Sequence, residues 1–117
     1  LHEMEKRIDD SKAVVLVAIY KNEIAGTASV RIRNNDDLHI RSMAVKPNCQ
    51  GKGIGWLILE RISELAKQRR CRTISLECFE PLTKAVALYN ACGFSRTSKT
   101  RKYHGITVFE MKKNVHT

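Results

Sequence analysis

Residues Met43 to Trp56 read Met-Ala-Val-Lys-Pro-Asn-Cys-Gln-Gly-Lys-Gly-Ile-Gly-Trp. The stretch has the form of a buried strand end, a turn, a glycine-rich loop and the first turn of a long helix. Gly51, Gly53 and Gly55 alternate along the loop. A backbone without Cβ takes positive φ and comes close to a ligand. A helix beginning near Ile54 leaves its first N–H groups without partners inside the helix. Those donors, with the positive end of the helix dipole, suit a phosphate or pyrophosphate. A Walker loop requires Gly-Lys-Ser/Thr, and Lys52 is followed by Gly53. The dinucleotide fingerprint requires a third glycine where Trp56 stands. What remains is Gln-x-x-Gly-x-Gly, carried by Gln50, Gly53 and Gly55. The competing reading is a tight strand-to-helix turn that uses glycines for geometry alone.

Composition narrows the classes. A chain of 117 residues, 43% hydrophobic and 28% charged, reads as one globular domain over residues 1–117. The longest apolar run, Ala13 to Tyr20, is strand-sized, so no membrane span is expected. Leu1 to Asp10 is charged and does not read as a signal peptide. Cys49, Cys71, Cys78 and Cys92 are scattered, with no Cys-x-x-Cys and no clustered histidines. That pattern predicts no metal site and no disulfide framework, and points to a reducing, cytoplasmic setting. The net charge of +9 favours anionic partners. Its densest runs, Lys67 to Arg72 and Lys99 to Lys102, lack the interleaved aromatics of a single-strand stacking surface, so nucleic acid is not the expected partner.

Periodicity supplies the element order. Leu1 to Ser11 reads as the end of an amphipathic helix, with Met4 and Ile8 four apart. Ala13 to Tyr20 and Ile24 to Arg33 read as a hairpin, with Ile24, Gly26, Ala28, Val30 and Ile32 on one face. Leu38 to Val45 is the next strand, closed by Pro47; strict alternation puts His39, Arg41, Met43 and Val45 on one face. Ile54 to Gln68 carries a 3.6-residue apolar period. Thr73 to Phe79 is a strand. Pro81 opens a second helix with a stripe of Leu82, Ala85, Val86 and Tyr89, and Gly93 ends it. Phe94 to Arg101 and Ile106 to Lys112 form a final strand pair.

This order, the glycine loop and the segment Ala85-Val-Ala-Leu-Tyr-Asn-Ala-Cys-Gly-Phe94 together resemble the GNAT superfamily of N-acetyltransferases. The second segment matches that family's Ala-x-x-Leu-Tyr-x-x-x-Gly-Phe. The resemblance covers nearly the whole chain. It implies an α/β acyl-CoA N-acyltransferase fold: a mixed, mostly antiparallel central sheet flanked by helices. The first strand and first helices of that fold are expected to be missing, which makes the chain N-terminally shortened. Its first residue, Leu1, fits a fragment or trimmed chain.

By resemblance, acetyl-CoA lies between two splayed parallel strands. The backbone of Met43, Ala44 and Val45 would meet the pantetheine arm. The loop amides of Gln50, Gly51, Lys52, Gly53, Ile54 and Gly55 would hold the pyrophosphate, and a strand amide would polarise the thioester carbonyl. Tyr89 would be the general acid that protonates the leaving thiolate; its competing reading is a core aromatic. An acceptor ammonium must also lose a proton. His39 is the first candidate base, with an unperturbed pKa near 6.5, and Glu77 is the reserve. At ~3.3 Å per residue His39 lies ~13 Å along the strand from Met43, so it would work through water. One departure stands out: Leu82 occupies the position where the family frequently has a cofactor-contacting Asn.

The expected activity is transfer of an acetyl group from acetyl-CoA to a primary amine by direct attack in a ternary complex. A covalent acyl-enzyme is not expected, because Cys49 and Cys78 have no evident base partner. Two other classes remain open. One is a non-catalytic CoA-binding or protein-interaction module on the same fold, since fold alone does not confer function. The other is a nucleic-acid-binding domain driven by charge. The acceptor amine and the oligomeric state, a homodimer included, also stay open.

Overall fold

A computed structural model describes residues 2–8, 13–80 and 82–115, with the backbone alone for 2–8. Its strands are β1 (His2–Ile8), β2 (Ala13–Tyr20), β3 (Glu23–Arg33), β4 (Asp37–Val45), β5 (Thr73–Phe79), β6 (Ser95–Tyr103) and β7 (Ile106–Asn114). The helices are α1 (Ile54–Gln68) and α2 (Thr83–Ala91), and a short 3-10 turn covers Pro47–Cys49. The sheet order is β1-β2-β3-β4-β5-β7-β6. Among the described strands only β4 and β5 pair in parallel, and α1 is the crossover between them. A parallel pair requires such a crossover, whereas the antiparallel pairs β2–β3, β3–β4 and β6–β7 close through short turns. In the turn between β6 and β7, His104 and Gly105 both have positive φ, the backbone of a tight two-residue hairpin.

Helix α1 buries Ile54, Ile58, Leu59, Ile62, Leu65 and Ala66 against the sheet. Each fully buried Ile or Leu contributes about 1.5–3 kcal/mol. The helix seats closely because β3 carries Gly26 beneath it: a Cβ there would stand 3.0 Å from Ile58 Cδ1 and 3.0 Å from the Ala44 carbonyl oxygen. Gly55 plays the same part toward α2, where a Cβ would meet Leu88 Cδ2 at 3.0 Å. Both helices therefore cover one face of the sheet, and the opposite face of β3, β4, β5 and β7 carries polar residues.

Three sequence expectations change. Residues His2–Ile8 form an edge strand antiparallel to β2, not a helix. Met4 and Ile8 are four apart, and four is close to one helical turn but also an even number, so the spacing does not separate the two periods. A strand therefore does precede β2 in the sheet. Ile24 does not share the buried face of Gly26 and Ala28. The register slips between Ala18 and Ile19, with Gly26 opposite Ala18 and Ile24 opposite Ile19. The extra residue, Ala25, is buried, and Ile24 is exposed. A second bulge, in β4, separates His39 from Met43. Val30 pairs with Ile40 and Ser29 with Ser42, which leaves Arg41 as the extra residue. One inserted residue inverts the alternation beyond it. Met43, opposite Ala28, lies on the helix-covered face, while His39, opposite Arg31, lies on the polar face. The expected start of the second helix at Pro81 lies outside the described residues. α2 begins at Thr83, with Leu82 as an exposed N-cap.

Candidate functional site

Strands β4 and β5 pair only over Asp37 to His39 against Thr73 to Ser75. Beyond that point β4 continues to Val45 and β5 to Phe79 with no pairing between them. The strands splay into a wedge, closed at His39 and Ser75 and open toward the glycine loop. Met43 to Val45 form one wall.

The loop at the mouth of the wedge is fixed from both sides. The Gln50 side-chain amide donates to the Val45 carbonyl at 3.2 Å. Gly53 caps α1 in the left-handed conformation, φ 80, and Gly51 has φ 79. A Cβ on either glycine would have no atom within 4 Å, so the space above both is open. No side chain caps α1, and its first turn holds no acidic residue. The first N–H of the helix to find an acceptor is that of Leu57, on the Gly53 carbonyl at 3.0 Å. Among the described residues, the N–H groups of Gly53, Ile54, Gly55 and Trp56 donate to no protein acceptor. The result is a helix N-terminus with unspent donors beside open space, the arrangement that binds phosphate.

Tyr89 stands on α2, half-buried, with its ring edge-on to Phe94 at 5.9 Å between centroids. The Phe94 N–H donates to the Tyr89 carbonyl at 2.9 Å, which anchors the end of the helix at that residue. Burial, then the neighbouring Cys78 thiol, push the phenol above its usual range. It is therefore fully protonated at neutral pH. Among the described residues its hydroxyl has no hydrogen-bond partner within the protein. Burial pushes the Cys78 thiol up to about 11, which removes it as a nucleophile at neutral pH.

The polar face carries a network that sequence reasoning missed. Asp37 is 4% exposed and Ser75 is fully buried. The Asp37 carboxylate accepts from Ser75 Oγ, from Thr73 Oγ1 at 2.7 Å and from Arg33 Nη2 at 2.8 Å. Burial raises its pKa, but the bonds from Ser75, Thr73 and Arg33 outweigh burial and hold it below the usual carboxylate value. Arg33 Nη2 also donates to Ser75 Oγ at 2.9 Å, and His39 Nδ1 stands 2.9 Å from the same oxygen. Burial lowers the His39 pKa, and the Arg33 charge lowers it further. Glu77 is more exposed and takes two bonds from Arg101, each 3.0 Å, which keep its pKa low. Asp37 stands one residue ahead of the strand expected from Leu38 and begins β4 in the structure. The available signal was its spacing of two from His39, matched by Thr73 and Ser75 on the next strand. An open cavity of about 1000 Å³ on this face is lined by Arg33, Asp37, Glu77, Arg101 and Glu110.

A sequence model of the acetyltransferase (GNAT) family matches residues 1–94. The chain belongs to that family. A curated relative, the [ribosomal protein bS18]-alanine N-acetyltransferase of Escherichia coli, is 31% identical over 72 residues, 62% of this chain and 49% of the relative. The chain thus spans about half the length of that GNAT protein. The crystal structure of the Escherichia coli enzyme superposes with a TM-score of 0.83 at 20% identity, over 93% of this chain and 73% of that one. An acetyltransferase of Bacillus subtilis in complex with CoA superposes with a TM-score of 0.84 at 16% identity, over 99% and 100%. At such identities the structural likenesses establish the GNAT acyl-CoA N-acyltransferase fold. Among the described residues there is no cluster of three or more potential metal ligands. No described helix is long and apolar enough to cross a membrane.

Within this GNAT fold the sequence-predicted residues fall into two groups. Met43, Ala44, Val45 and Gln50 to Gly55 run continuously along the wedge wall and the loop. Tyr89 stands on the same side of the sheet. His39 stands at the closed end of the wedge, with its side chain on the other face.

Proposed function

We propose that this chain is an acetyl-CoA-dependent N-acetyltransferase domain acting on a primary amine, in a small molecule or a peptide. The observation that carries the reading is the wedge between β4 and β5 opening onto an uncapped helix N-terminus. It fits a long flexible arm ending in a pyrophosphate. The open space above Gly51 and Gly53 and the unspent N–H groups fit the phosphates. The unpaired edge of Met43 to Val45 fits an amide-bearing arm, and a backbone N–H there would stabilise charge developing on the thioester oxygen.

The reaction follows from residues on both faces. A donor arm in the wedge passes between the strands, so its acyl end is reached from the polar face. There His39 takes a proton from the acceptor ammonium, through water, since ~13 Å of strand separates it from Met43. The freed amine forms its bond to the carbonyl carbon, the carbon–sulfur bond breaks, and the nitrogen gives up its second proton to water. On the helix face, Tyr89 gives its proton to the departing thiolate and regains one from water. A half-buried phenol with no partner among the described residues is available for that donation. His39 is favoured over Glu77, whose carboxylate is held by Arg101 and is the weaker base. The family's Escherichia coli relative is named for an alanine of a ribosomal protein, which makes a peptide N-terminal amine the first acceptor to try.

The test is thiol release from acetyl-CoA across a panel of peptide and small-molecule amines. Amine-dependent release supports the proposal. CoA binding without release across the panel assigns the chain to the alternative class, a non-catalytic binding module.

A further inference from the structure

The hydrogen bonds around Ser75 permit only one assignment of protons. Asp37 is an ionised carboxylate and can only accept; Arg33 can only donate. Ser75 has one hydroxyl proton, and its Oγ is bonded to Asp37, Arg33 and His39. The proton goes to Asp37, so Oγ accepts from Arg33. Its remaining lone pair then faces His39 Nδ1, which must carry a hydrogen. In neutral imidazole one nitrogen donates and the other accepts. The basic lone pair is therefore on Nε2.

We propose that Asp37 and Ser75 are positioning residues for His39: the chain Asp37–Ser75–His39 holds the imidazole as the Nδ1–H tautomer and turns the Nε2 lone pair toward the polar face. The proposal rests on His39 acting as the base. The ring orientation of a working histidine is commonly set by the bond its second nitrogen makes. Here an intervening serine passes the preference from a carboxylate that is itself buried and fully bonded. The strand register enforces the meeting. His39 and Ser75 are the last paired residues of β4 and β5, so the device sits where the wedge closes. The charges facing His39 are Arg33 from β3, Asp37 from β4, Glu77 from β5 and Glu110 from β7, with Arg31 opposite it in register. Burial and Arg33 outweigh the three carboxylates, which keeps the ring neutral and basic near pH 7.

The experiment combines histidine tautomer NMR with kinetics. Two-bond ¹H–¹⁵N spectra of ¹⁵N-histidine-labelled protein at pH 8, with His39→Gln to assign the His39 signals, are expected to show a protonated Nδ1 and a bare Nε2. Ser75→Ala is expected to release that tautomer and to lower turnover roughly 10–100-fold, by analogy with the loss of the outer partner of a metal-bound histidine. The KM for acetyl-CoA should not change. Asp37→Asn is expected to keep the tautomer, because the amide oxygen can replace the carboxylate oxygen facing Ser75 and Arg33. It should move the acidic limb of turnover to lower pH, because a negative charge near the ring is lost. A protonated Nε2 in the wild type overturns the proposal, as does a wild-type tautomer and rate in Ser75→Ala. If His39→Gln leaves turnover and its acidic limb unchanged, His39 is not the base and the positioning role falls with it. The tautomer spectra tell that failure apart from a failure of the hydrogen-bond chain.

Discussion

In the proposed reaction two residues on opposite faces of one sheet divide the proton traffic, and each makes a separate prediction. Tyr89→Phe removes one hydroxyl that has no partner among the described residues, so packing against Phe94 survives. Turnover should fall by ~10²–10⁴, the usual loss of a positioned acid, while CoA affinity measured by calorimetry stays as in the wild type. An equal rate in the variant would leave Tyr89 as a packing aromatic. For His39 the sign follows from its lowered pKa. A histidine is a base only when neutral, so turnover should rise with pH and reach its plateau earlier than an unperturbed pKa of about 6.5 would give. Asp37 predicts stability. Its pKa is depressed in the folded state, so its contribution is present above the unfolded value of about 3.9 and disappears as pH falls through the folded one. Asp37→Asn should cost about 1–3 kcal/mol at pH 7, and the gap from wild type in chemical denaturation should close in strong acid. Tyr89 and His39 were visible in the sequence as residue types in a pattern. Asp37 and Ser75 were not, because their meaning lies in a pairing between strands separated by a whole helix.

At the scale of elements, the long helix was fully legible. Its apolar period from Ile54 to Gln68 is uninterrupted, and Gly53 marks its start. Strand faces were less legible. A bulge adds one residue without any change in composition, so Ala25 and Arg41 inverted faces that alternation had assigned correctly up to that point. The chemical consequence is real, since the bulge at Arg41 is what turns His39 and Met43 to opposite sides. The N-terminal strand was illegible for a different reason, the shared multiple of the two periods. Two substitutions test the element packing. Gly26→Ala places a Cβ against Ile58 and a backbone carbonyl and should cost about 1–3 kcal/mol, as overpacking does. Leu82→Asn supplies the missing cap of α2 at an exposed position and should gain about 0.5–2 kcal/mol. Thermal unfolding of both variants reads these shifts, and a stable Gly26→Ala would mean that α1 does not rest on β3 as closely as described.

For the whole molecule, the charge of +9 is best read with the wedge and loop in view. An anionic donor would use part of it, and the ion pairs Arg33–Asp37 and Arg101–Glu77 neutralise part of the polar face. Nucleic acid should therefore bind weakly at physiological salt, and what binding there is should fall steeply as salt rises. The two sequence motifs together made the fold legible because they mark the mouth of the wedge and the helix beside it. The polar face, by contrast, is built from side chains contributed by β3, β4, β5 and β7, and no single stretch displays it. The central claim is that the glycine loop and the wedge form one acyl-CoA site. Its most direct test is calorimetric titration of acetyl-CoA into the wild type and into Gly53→Val, with circular dichroism to establish that both are folded. One site per chain is expected in the wild type and no measurable binding in the folded variant, because a branched side chain then fills the space above an N–H meant for phosphate. Equal binding by a folded Gly53→Val would contradict it.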